Sequence, residues 1–223
     1  MKKISVVAAA ALILTGLGPR SAAAQGTLVP GVKGGLSIST FGEPWSNLKA
    51  PTAGVFLSIG LNKVLSVQPE VFWLTQGGAV GRGYYNDEMG NLVEIESRWK
   101  LSYVHIPVLC KLCPIPRGTF RPVLFAGPAI DILARAVEAV YYYVYDDQGE
   151  ELLAYGGDDV NIRDAFNGTN WDLVAGAGLE VLLNKARLVV EVRYTLGLTN
   201  IYRQSPDTPL KTRALMFLAG VGF

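Results

Sequence analysis

The side chains of this sequence that could do chemistry are charged residues set within alternating apolar stretches. Residues 188–196 read LVVEVRYTL and include Glu191 and Arg193. Side chains alternate between the two faces of a β-strand, so Glu191 and Arg193 share one face. The other face carries Leu188, Val190, Val192, Tyr194 and Leu196. Such a strand suits either partial exposure to water or a position between lipid and a narrow polar lumen.

The same alternation in other segments predicts a polar network inside a lumen. Its members are Glu70, His105, Lys111, Arg121, Glu180, Glu191 and Arg193. With Lys33 included, acids and bases roughly balance, and mutual pairing lowers the cost of burying ions. We therefore interpret the set as a structural plug, not as a pore lining. Gly176 and Gly178 are expected opposite Arg193 and Glu191, where the missing side chains leave room for the long charged ones.

His105 is the only histidine of the chain. It is expected in the middle of a strand, pointing inward among charges. Histidine is the commonest general acid or base, and a lipid-modifying outer-membrane enzyme would combine it with Ser or Asp on a lipid-accessible surface. A histidine inside a lumen is more often a structural hydrogen-bonding residue. We therefore predict no catalytic residue.

Two features invite a metal or redox interpretation. Cys110 and Cys113 form a CxxC motif. On a strand, however, residues three apart point to opposite faces with Cα atoms ~10 Å apart, too far for a disulfide. The second feature is the segment 137–170, with the single base Arg163 and eight acids: Glu138, Asp146, Asp147, Glu150, Glu151, Asp158, Asp159 and Asp164. It lacks the spacing of a calcium loop. We predict no metal and no cofactor, and the segment is either a solvated loop or a partner surface.

Composition and the N-terminus narrow the class of protein. Half of the 223 residues are hydrophobic, 17% are charged, and the mean hydropathy is +0.27. After residue 24, however, no apolar run approaches the ~20 residues of a membrane helix. Residues 1–24 predict a signal peptide, with Lys2 and Lys3 preceding an apolar stretch that ends near a small-residue cleavage site. The mature domain, 25–223, has 17 basic and 19 acidic residues, which argues against a nucleic-acid partner.

Eight segments have strand-like alternation or apolar content. They are approximately 30–40, 52–61, 65–76, 98–113, 120–136, 171–183, 187–198 and 211–223. The connections after the second, fourth and sixth segments are short, and those after the first, third, fifth and seventh are long. Outer-membrane barrels have this arrangement, with short periplasmic turns and long extracellular loops. We predict an all-β, eight-stranded, antiparallel up-and-down transmembrane barrel in the bacterial outer membrane. A soluble lipocalin-like carrier would have an apolar interior, the reverse of this pattern.

The long segments between strands carry their own predictions. VYYYVYDDQGEELLAY is expected to form a hairpin extension above the membrane, with DDQG as its turn.

At the C-terminus, FLAGVGF places Phe217, Val221 and Phe223 on one face and ends the chain on an aromatic residue. This ending is similar to the assembly signal that the barrel-insertion machinery reads in outer-membrane barrels.

Several motifs together resemble the PorT-like outer-membrane β-barrel family of Bacteroidota and relatives. They are GVKGGLSIS at 31–39, LSVQPEVFW at 65–73, LSYVHIPVLCK at 101–111, FRPVLFAGP at 120–128, LVAGAGLEV at 173–181 and VVEVRYTLGLTNI at 189–201. The resemblance spans nearly the whole mature chain and implies the fold and the location. His105 departs from the family pattern, which has Glu there. The founding member serves a secretion system associated with gliding motility.

The function expected from this pattern is non-enzymatic, with a structural or docking role linked to secretion or envelope assembly. The alternatives are a narrow outer-membrane channel and an outer-membrane lipid-modifying enzyme. The expected partners are outer-membrane lipid, the insertion machinery during assembly, and an unidentified protein at the extracellular loops or the periplasmic turns.

Overall fold

The computed structural model describes residues 28–42, 47–87, 89–145, 151–156, 159–184, 186–203 and 209–223. The predicted signal peptide, 1–24, and the DDQG turn lie outside the described residues. No helix among the described residues is long and apolar enough to cross a membrane.

Ten β-strands and one short 3₁₀ helix make up the described chain. They are β1 (Leu28–Thr40), β2 (Leu48–Gly60), β3 (Leu65–Asn86), β4 (Leu92–Leu112), β5 (Phe120–Tyr145), β6 (Glu151–Gly156), β7 (Val160–Asn161), the 3₁₀ helix (Arg163–Ala165), β8 (Thr169–Leu182), β9 (Arg187–Gly197) and β10 (Arg213–Gly222).

Eight of the strands close into an antiparallel ring. Each pairs with its sequence neighbour along β1, β2, β3, β4 and β5, then β8, β9 and β10, and β10 pairs with β1. The predicted eight-stranded barrel is therefore confirmed. We call the end with the connections 61–64, 113–119 and 183–186 the short-turn end and the opposite end the long-loop end.

Alternation of side chains explains why these segments form barrel strands. On β9, Val189, Glu191, Arg193 and Thr195 are buried in the lumen, and the residues between them face outward. The predicted outward residues Trp73, Trp171 and Val190 are 48%, 55% and 58% exposed. A side-chain period of two sorts every strand into an outer apolar face and an inner face.

Two glycines of β8 make room for the charged side chains of β9. Gly176 lies opposite Arg193 and Gly178 opposite Glu191, as predicted. A Cβ atom on Gly178 would lie 2.8 Å from Cγ of Glu191, and one on Gly176 would lie 2.6 Å from the ring of Phe125. Both contacts are too close for any larger residue, so these glycines set the space available inside the barrel.

The strands at the long-loop end differ from the prediction. The segment 77–97, expected as a loop, continues β3 to Asn86 and starts β4 at Leu92, with a tight turn between them. Its glycines suggest a loop, but the backbone ladder with β4 persists through a register shift between Ala79 and Gly81. Strand β5 likewise runs to Tyr145 instead of ending near residue 136, and it pairs with β6 as the predicted hairpin extension requires.

The barrel interior is layered along its axis. A charged layer lies toward the short-turn end. Next comes an apolar layer that includes Phe72, Leu109, Phe125 and Val174. A second polar layer follows, and a largely aromatic cluster closes the long-loop end. This cap consists of Phe41, Leu101, Tyr103, Leu133, Ala136, Phe166 and Ile201, with Trp99 and Tyr202 packed against it.

Candidate functional site: two polar clusters in the lumen

The charged layer is a continuous ion-pair network. We call it the charged network, and its residues are Lys33, Gln68, Glu70, Lys111, Glu180, Arg187, Glu191 and Arg193. They come from strands on all sides of the ring. The structure thus brings together five of the seven predicted lumen residues, and Lys33 with them.

Glu191 is the centre of the charged network. Both of its carboxylate oxygens accept from Nζ of Lys33 at 2.8 Å. Its Oε2 accepts from Nη2 of Arg193 at 2.5 Å, and its Oε1 lies 3.4 Å from Nζ of Lys111. Three cations therefore converge on one fully buried carboxylate, whose charge is neutralised inside the barrel.

Glu70 and Arg193 form the second close pair of the charged network. Nη1 of Arg193 donates to Oε2 of Glu70 at 2.6 Å, and Lys33 donates to Oε1 of Glu70 at 2.9 Å. The Arg193 guanidinium also lies 5.3 Å from the ring centroids of both Phe72 and Phe125. These rings belong to the apolar layer and separate the charged network from the second polar layer. Their π faces also stabilise the positive charge of Arg193.

At the short-turn end the charged network meets solvent. Nζ of Lys111 donates to Oε1 of Glu180 at 2.8 Å, and Nη1 of Arg187 contacts Oε2 of Glu180 at 3.0 Å. These three residues line a bowl of about 1270 Å³ that opens at this end. The lining of the bowl includes these three members of the charged network but not Lys33, Glu70 or Arg193.

Arg121, predicted as a network member, lies at the mouth of the lumen and does not join the ion pairs among the described residues. It is the second residue of β5, beside the 113–119 turn, and its side chain reaches the bowl. Its Nε donates to the carbonyl of Gly118 at 3.4 Å, and it makes no ion pair with any residue that the structure describes. At a strand end an inward-pointing side chain can bend to water, which solvates the guanidinium better than a buried partner does.

His105 was also predicted within this network, but the structure places it in a separate layer. There it forms a second cluster, the His105 cluster, with Asp131, Asn170 and Asp172. Its Nδ1 is 2.5 Å from Oδ1 of Asp131 and 3.9 Å from Oδ2 of Asp172. The apolar layer containing Phe72 and Phe125 lies between this cluster and the charged network. The His105 cluster contains two acids and has no Lys or Arg partner in the described part of the chain.

Asp131 and Asp172 were not predicted as lumen residues from the sequence. The alternation of side chains does predict this position for Asp172, since its neighbours Trp171 and Leu173 face outward. Asp131 alternates with Ile130 and Ile132 in the same way. A search for acids between outward apolar residues would have found both.

Among the remaining predicted residues, the C-terminal ones lie on the outer face, whereas Cys113 packs against the interior apolar layer and lines the bowl. Phe217 and Phe223 are 46% and 67% exposed on the outer face, and Val221 is half-buried. Cys110 is exposed and Cys113 partly exposed, and both are free thiols.

The four layers of the lumen bear on whether an ion could pass through the barrel. A permeating ion would have to cross the charged network, the apolar layer, the His105 cluster and the aromatic cap in turn. Since an eight-stranded barrel is just wide enough for its side chains to fill it, these layers favour a closed lumen over an open pore. His105 is fully buried, so it does not lie on a lipid-accessible surface.

Three solved structures are similar to this chain over most of its length. Neisserial surface protein A shares 12% identity over 87% of this chain and 95% of its own, with a TM-score of 0.46. Ail, the attachment invasion locus protein of Yersinia pestis, shares 11% identity over 89% and 99%, with a TM-score of 0.37. The N-terminal barrel domain of Pseudomonas aeruginosa OprF shares 11% identity over 89% and 98%, with a TM-score of 0.33. The chain matches no curated protein sequence.

One family model covers most of the chain. The model described as outer membrane protein beta-barrel domain matches residues 23–203, which include every strand of the ring except β10. The closed eight-stranded ring and its apolar outer face agree with this match. The chain therefore belongs to the outer membrane protein beta-barrel domain family and resides in the bacterial outer membrane.

Proposed function

We propose that this protein is a non-enzymatic docking protein that presents a β-sheet above the outer membrane. The observation that carries the proposal is the length of three strands. β3, β4 and β5 have 22, 21 and 26 residues, whereas β8 and β9 have 14 and 11. At ~3.3 Å per residue, the surplus of about ten residues raises the sheet roughly 30 Å above the rim. We call residues 79–86, 92–98, 137–145 and 151–156 the outer sheet.

The outer sheet is ordered by side-chain contacts that hold it above the membrane. Arg82 reaches Glu96 at 3.1 Å and Glu94 at 3.6 Å across the β3–β4 hairpin. Lys100 donates to the hydroxyl of Tyr141 at 2.6 Å, and the Arg98 guanidinium lies 5.0 Å from the Tyr141 ring centroid. A sheet held in this way is a preformed surface, which reduces the entropy lost on binding.

The exposed residues of the outer sheet are suited to contact with a protein. Tyr84 and Tyr85 are 60% and 48% exposed, and Leu153 is 55% exposed. Tyrosine is enriched at protein interfaces because it combines apolar area with a hydrogen-bonding group. β6 also pairs only with β5 among the described strands, so its second edge offers backbone groups to a partner strand.

The docking proposal is tested by shortening the outer sheet without disturbing the ring. Tyr141 and Gly156 lie opposite each other in register, so replacing residues 142–155 by Asn-Gly gives a two-residue hairpin at the same register. We expect the shortened protein to assemble and to keep its heat-modifiable band. In living cells, a photo-crosslinking amino acid at Tyr85 should give a defined adduct in the full-length protein and none in the shortened one. Val190, which faces lipid, is the control position.

The docking role would be overturned by two results together. These are the absence of a Tyr85 adduct in the full-length protein and normal behaviour of cells that carry the shortened one. The outer sheet would then be a solvated extension of the barrel.

The layered lumen supports a closed barrel over the alternative of a narrow channel. We expect no stable conductance from the purified protein in planar bilayers. Reproducible single-channel steps that change with Glu191→Gln would make the channel the better description. The burial of His105 supports a non-enzymatic role over lipid modification, which requires a reactive group within reach of the acyl chains.

A link to secretion or envelope assembly rests on the PorT-like resemblance and is the finer part of the proposal. A deletion strain should accumulate secreted proteins in the periplasm if the link is correct, and should secrete them normally if it is not. We also propose that residues 1–24 are removed on export, and that Phe217, Val221 and Phe223 are read by the insertion machinery. Deleting Phe223 should slow assembly without changing the stability of the assembled barrel.

A further inference from the structure

The His105 cluster is drawn together by three neighbouring strands. His105 of β4 lies directly opposite Asp131 of β5, and Asp131 lies directly opposite Asn170 of β8. Asp172 is two residues beyond Asn170 on the same inward face of β8. Directly opposite residues in an antiparallel ladder have Cβ atoms about 5 Å apart, so four polar side chains meet in one small volume.

The donor atoms of the His105 cluster converge as metal ligands do. His105, Asp131 and Asp172 each offer one nitrogen or carboxylate oxygen, and these atoms all lie within 4.8 Å of one another. Ligands about 2.0–2.2 Å from a shared zinc ion are necessarily within roughly 4 Å of each other. Small rotations of side chains already in contact would therefore bring them to coordination distance.

The His105 cluster has acceptors without donors. Oδ2 of Asp131, both carboxylate oxygens of Asp172 and Nε2 of His105 are buried and have no hydrogen-bond partner among the described residues. Asn170 adds an independent signal. Its amide nitrogen donates to the hydroxyl of Tyr103 at 3.3 Å, while its Oδ1 is buried and also without a described partner. Unpaired buried acceptors are costly, and a cation is the partner that satisfies several carboxylate and amide oxygens at once.

The charges of the His105 cluster also favour a bound cation. Asp131 is fully buried and Asp172 is 1% exposed, and neither has a basic partner other than His105 within the described ranges. A proton shared between Nδ1 and Asp131 satisfies that pair, and a second proton would be needed to join the carboxylates of Asp131 and Asp172. Neither proton provides a donor for Oδ1 of Asn170. The charged network, in the same barrel, gives each of its acids at least one Lys or Arg. A divalent cation would supply the missing counter-charge.

The donor set selects the kind of cation. One imidazole nitrogen with carboxylate and amide oxygens suits zinc and similar first-row transition ions, whereas calcium and magnesium prefer all-oxygen sites. The cluster is enclosed, with Phe72 opposite His105 in the ladder on one side and the aromatic cap on the other. An ion bound there would tie β4, β5 and β8 together beneath the long 146–168 connection.

We propose that His105, Asp131, Asn170 and Asp172 form a buried structural site for a zinc-class divalent cation, acquired as the barrel folds. This site is independent of the docking role, since it concerns the interior of the barrel and not the outer sheet.

The test uses the untagged mature chain carrying Cys110→Ala and Cys113→Ala, because exposed thiols bind zinc themselves. The protein is refolded into detergent with zinc chloride, dialysed against metal-free buffer, and its metal content measured. We expect zinc in a one-to-one ratio with the chain. Asp131→Asn and Asp172→Asn should each weaken zinc binding by about 10- to 100-fold, because each change replaces a charged carboxylate by a neutral amide in the site. Asp164→Asn, an exposed acid, should keep the full ratio.

Cobalt in place of zinc gives the second measurement. Refolding with cobalt chloride should produce visible absorption bands that shift in His105→Gln, because the imidazole is a direct ligand. Heat-modifiability gels show which variants have folded. A folded parent protein that retains no zinc would overturn the proposal, whatever the variants do. Equal zinc content in the parent, Asp131→Asn and Asp172→Asn would overturn it as well.

Discussion

The charged network and the His105 cluster are two solutions to the same problem of burying charge inside one barrel. In the charged network, the single acid Glu191 has three cationic partners, which are Lys33, Lys111 and Arg193. In the His105 cluster, Asp131 and Asp172 face a single histidine, and several of their oxygens have no partner in the described part of the chain. The two clusters lie a few residues apart along the same strands, separated by the apolar layer.

Replacing a buried acid should therefore change the stability of the barrel in opposite directions, depending on how many cations lie beside that acid. Removing one member of a compensated network leaves a buried charge without a partner, which costs about 3–5 kcal/mol. Removing one acid of an uncompensated cluster relieves repulsion between like charges. The same chemical change, carboxylate to amide, should therefore affect the stability of this barrel in opposite directions at its two sites.

The largest effect is expected for Glu191→Gln. The change leaves three cations with only Glu70 and Glu180 as buried acids, so the free energy of unfolding should fall by about 3–5 kcal/mol. Urea unfolding in lipid vesicles measures it. Glu94→Gln is the matched control, because its ion pair with the half-exposed Arg82 contributes at most ~1 kcal/mol. Similar losses in the two variants would show that the charged network is not compensated in the way described.

Val190, next to Glu191 on β9, tests the outer face of the same strand, where a substitution affects the contact with lipid and not the lumen. Val190 is 58% exposed on the outer face, and an arginine there would cost about 2–4 kcal/mol near the bilayer midplane. Val160→Arg is the control, since Val160 is 55% exposed on β7, which is not one of the eight strands of the ring. Folding yield in vesicles should fall for Val190→Arg and remain at the parent level for Val160→Arg. Equal yields would contradict the assignment of the outer face to lipid.

A smaller effect is expected at the edge of the charged network. Lys111→Met should lower the free energy of unfolding by about 2 kcal/mol, because Glu180 keeps Arg187 as a partner and the bowl supplies water. Adding Glu180→Gln should recover about 1 kcal/mol, since the acid left short of a partner is removed as well. Strictly additive losses in the double variant would mean that Lys111 and Glu180 are not coupled.

Local patterns in the sequence were sufficient to predict the ring and its two faces. A period of two places Glu191 and Arg193 inward and Val190 outward whatever the neighbouring strands do. The short connections could be predicted because turn residues such as Asn184 directly follow apolar strands. These features depend on residues that are close in the sequence, and the structure confirms them.

The assignment of lumen residues to separate clusters could not be predicted in the same way. It depends on the stagger of the strands around the ring, which sets the height of each inward residue along the barrel axis. His105 and Lys111 share a face of one strand but lie six residues, ~20 Å, apart along it. Only the register with β5 and β8 determines which polar residues each of them meets. The length of the outer sheet was missed for a related reason. The glycine-rich start of 77–97 forms a strand only because β4 provides a continuous ladder beside it.

Of the two polar clusters in the lumen, the charged network contains its own counter-charges and the His105 cluster does not. This claim is tested by the stability of Asp172→Asn, measured by urea unfolding in vesicles with a metal chelator present. Because the substitution removes one of two buried like charges, the free energy of unfolding should equal that of the parent or exceed it by up to about 1 kcal/mol. A loss of several kcal/mol, comparable to that expected for Glu191→Gln, would contradict the claim, because Asp172 would then have a counter-charge of its own.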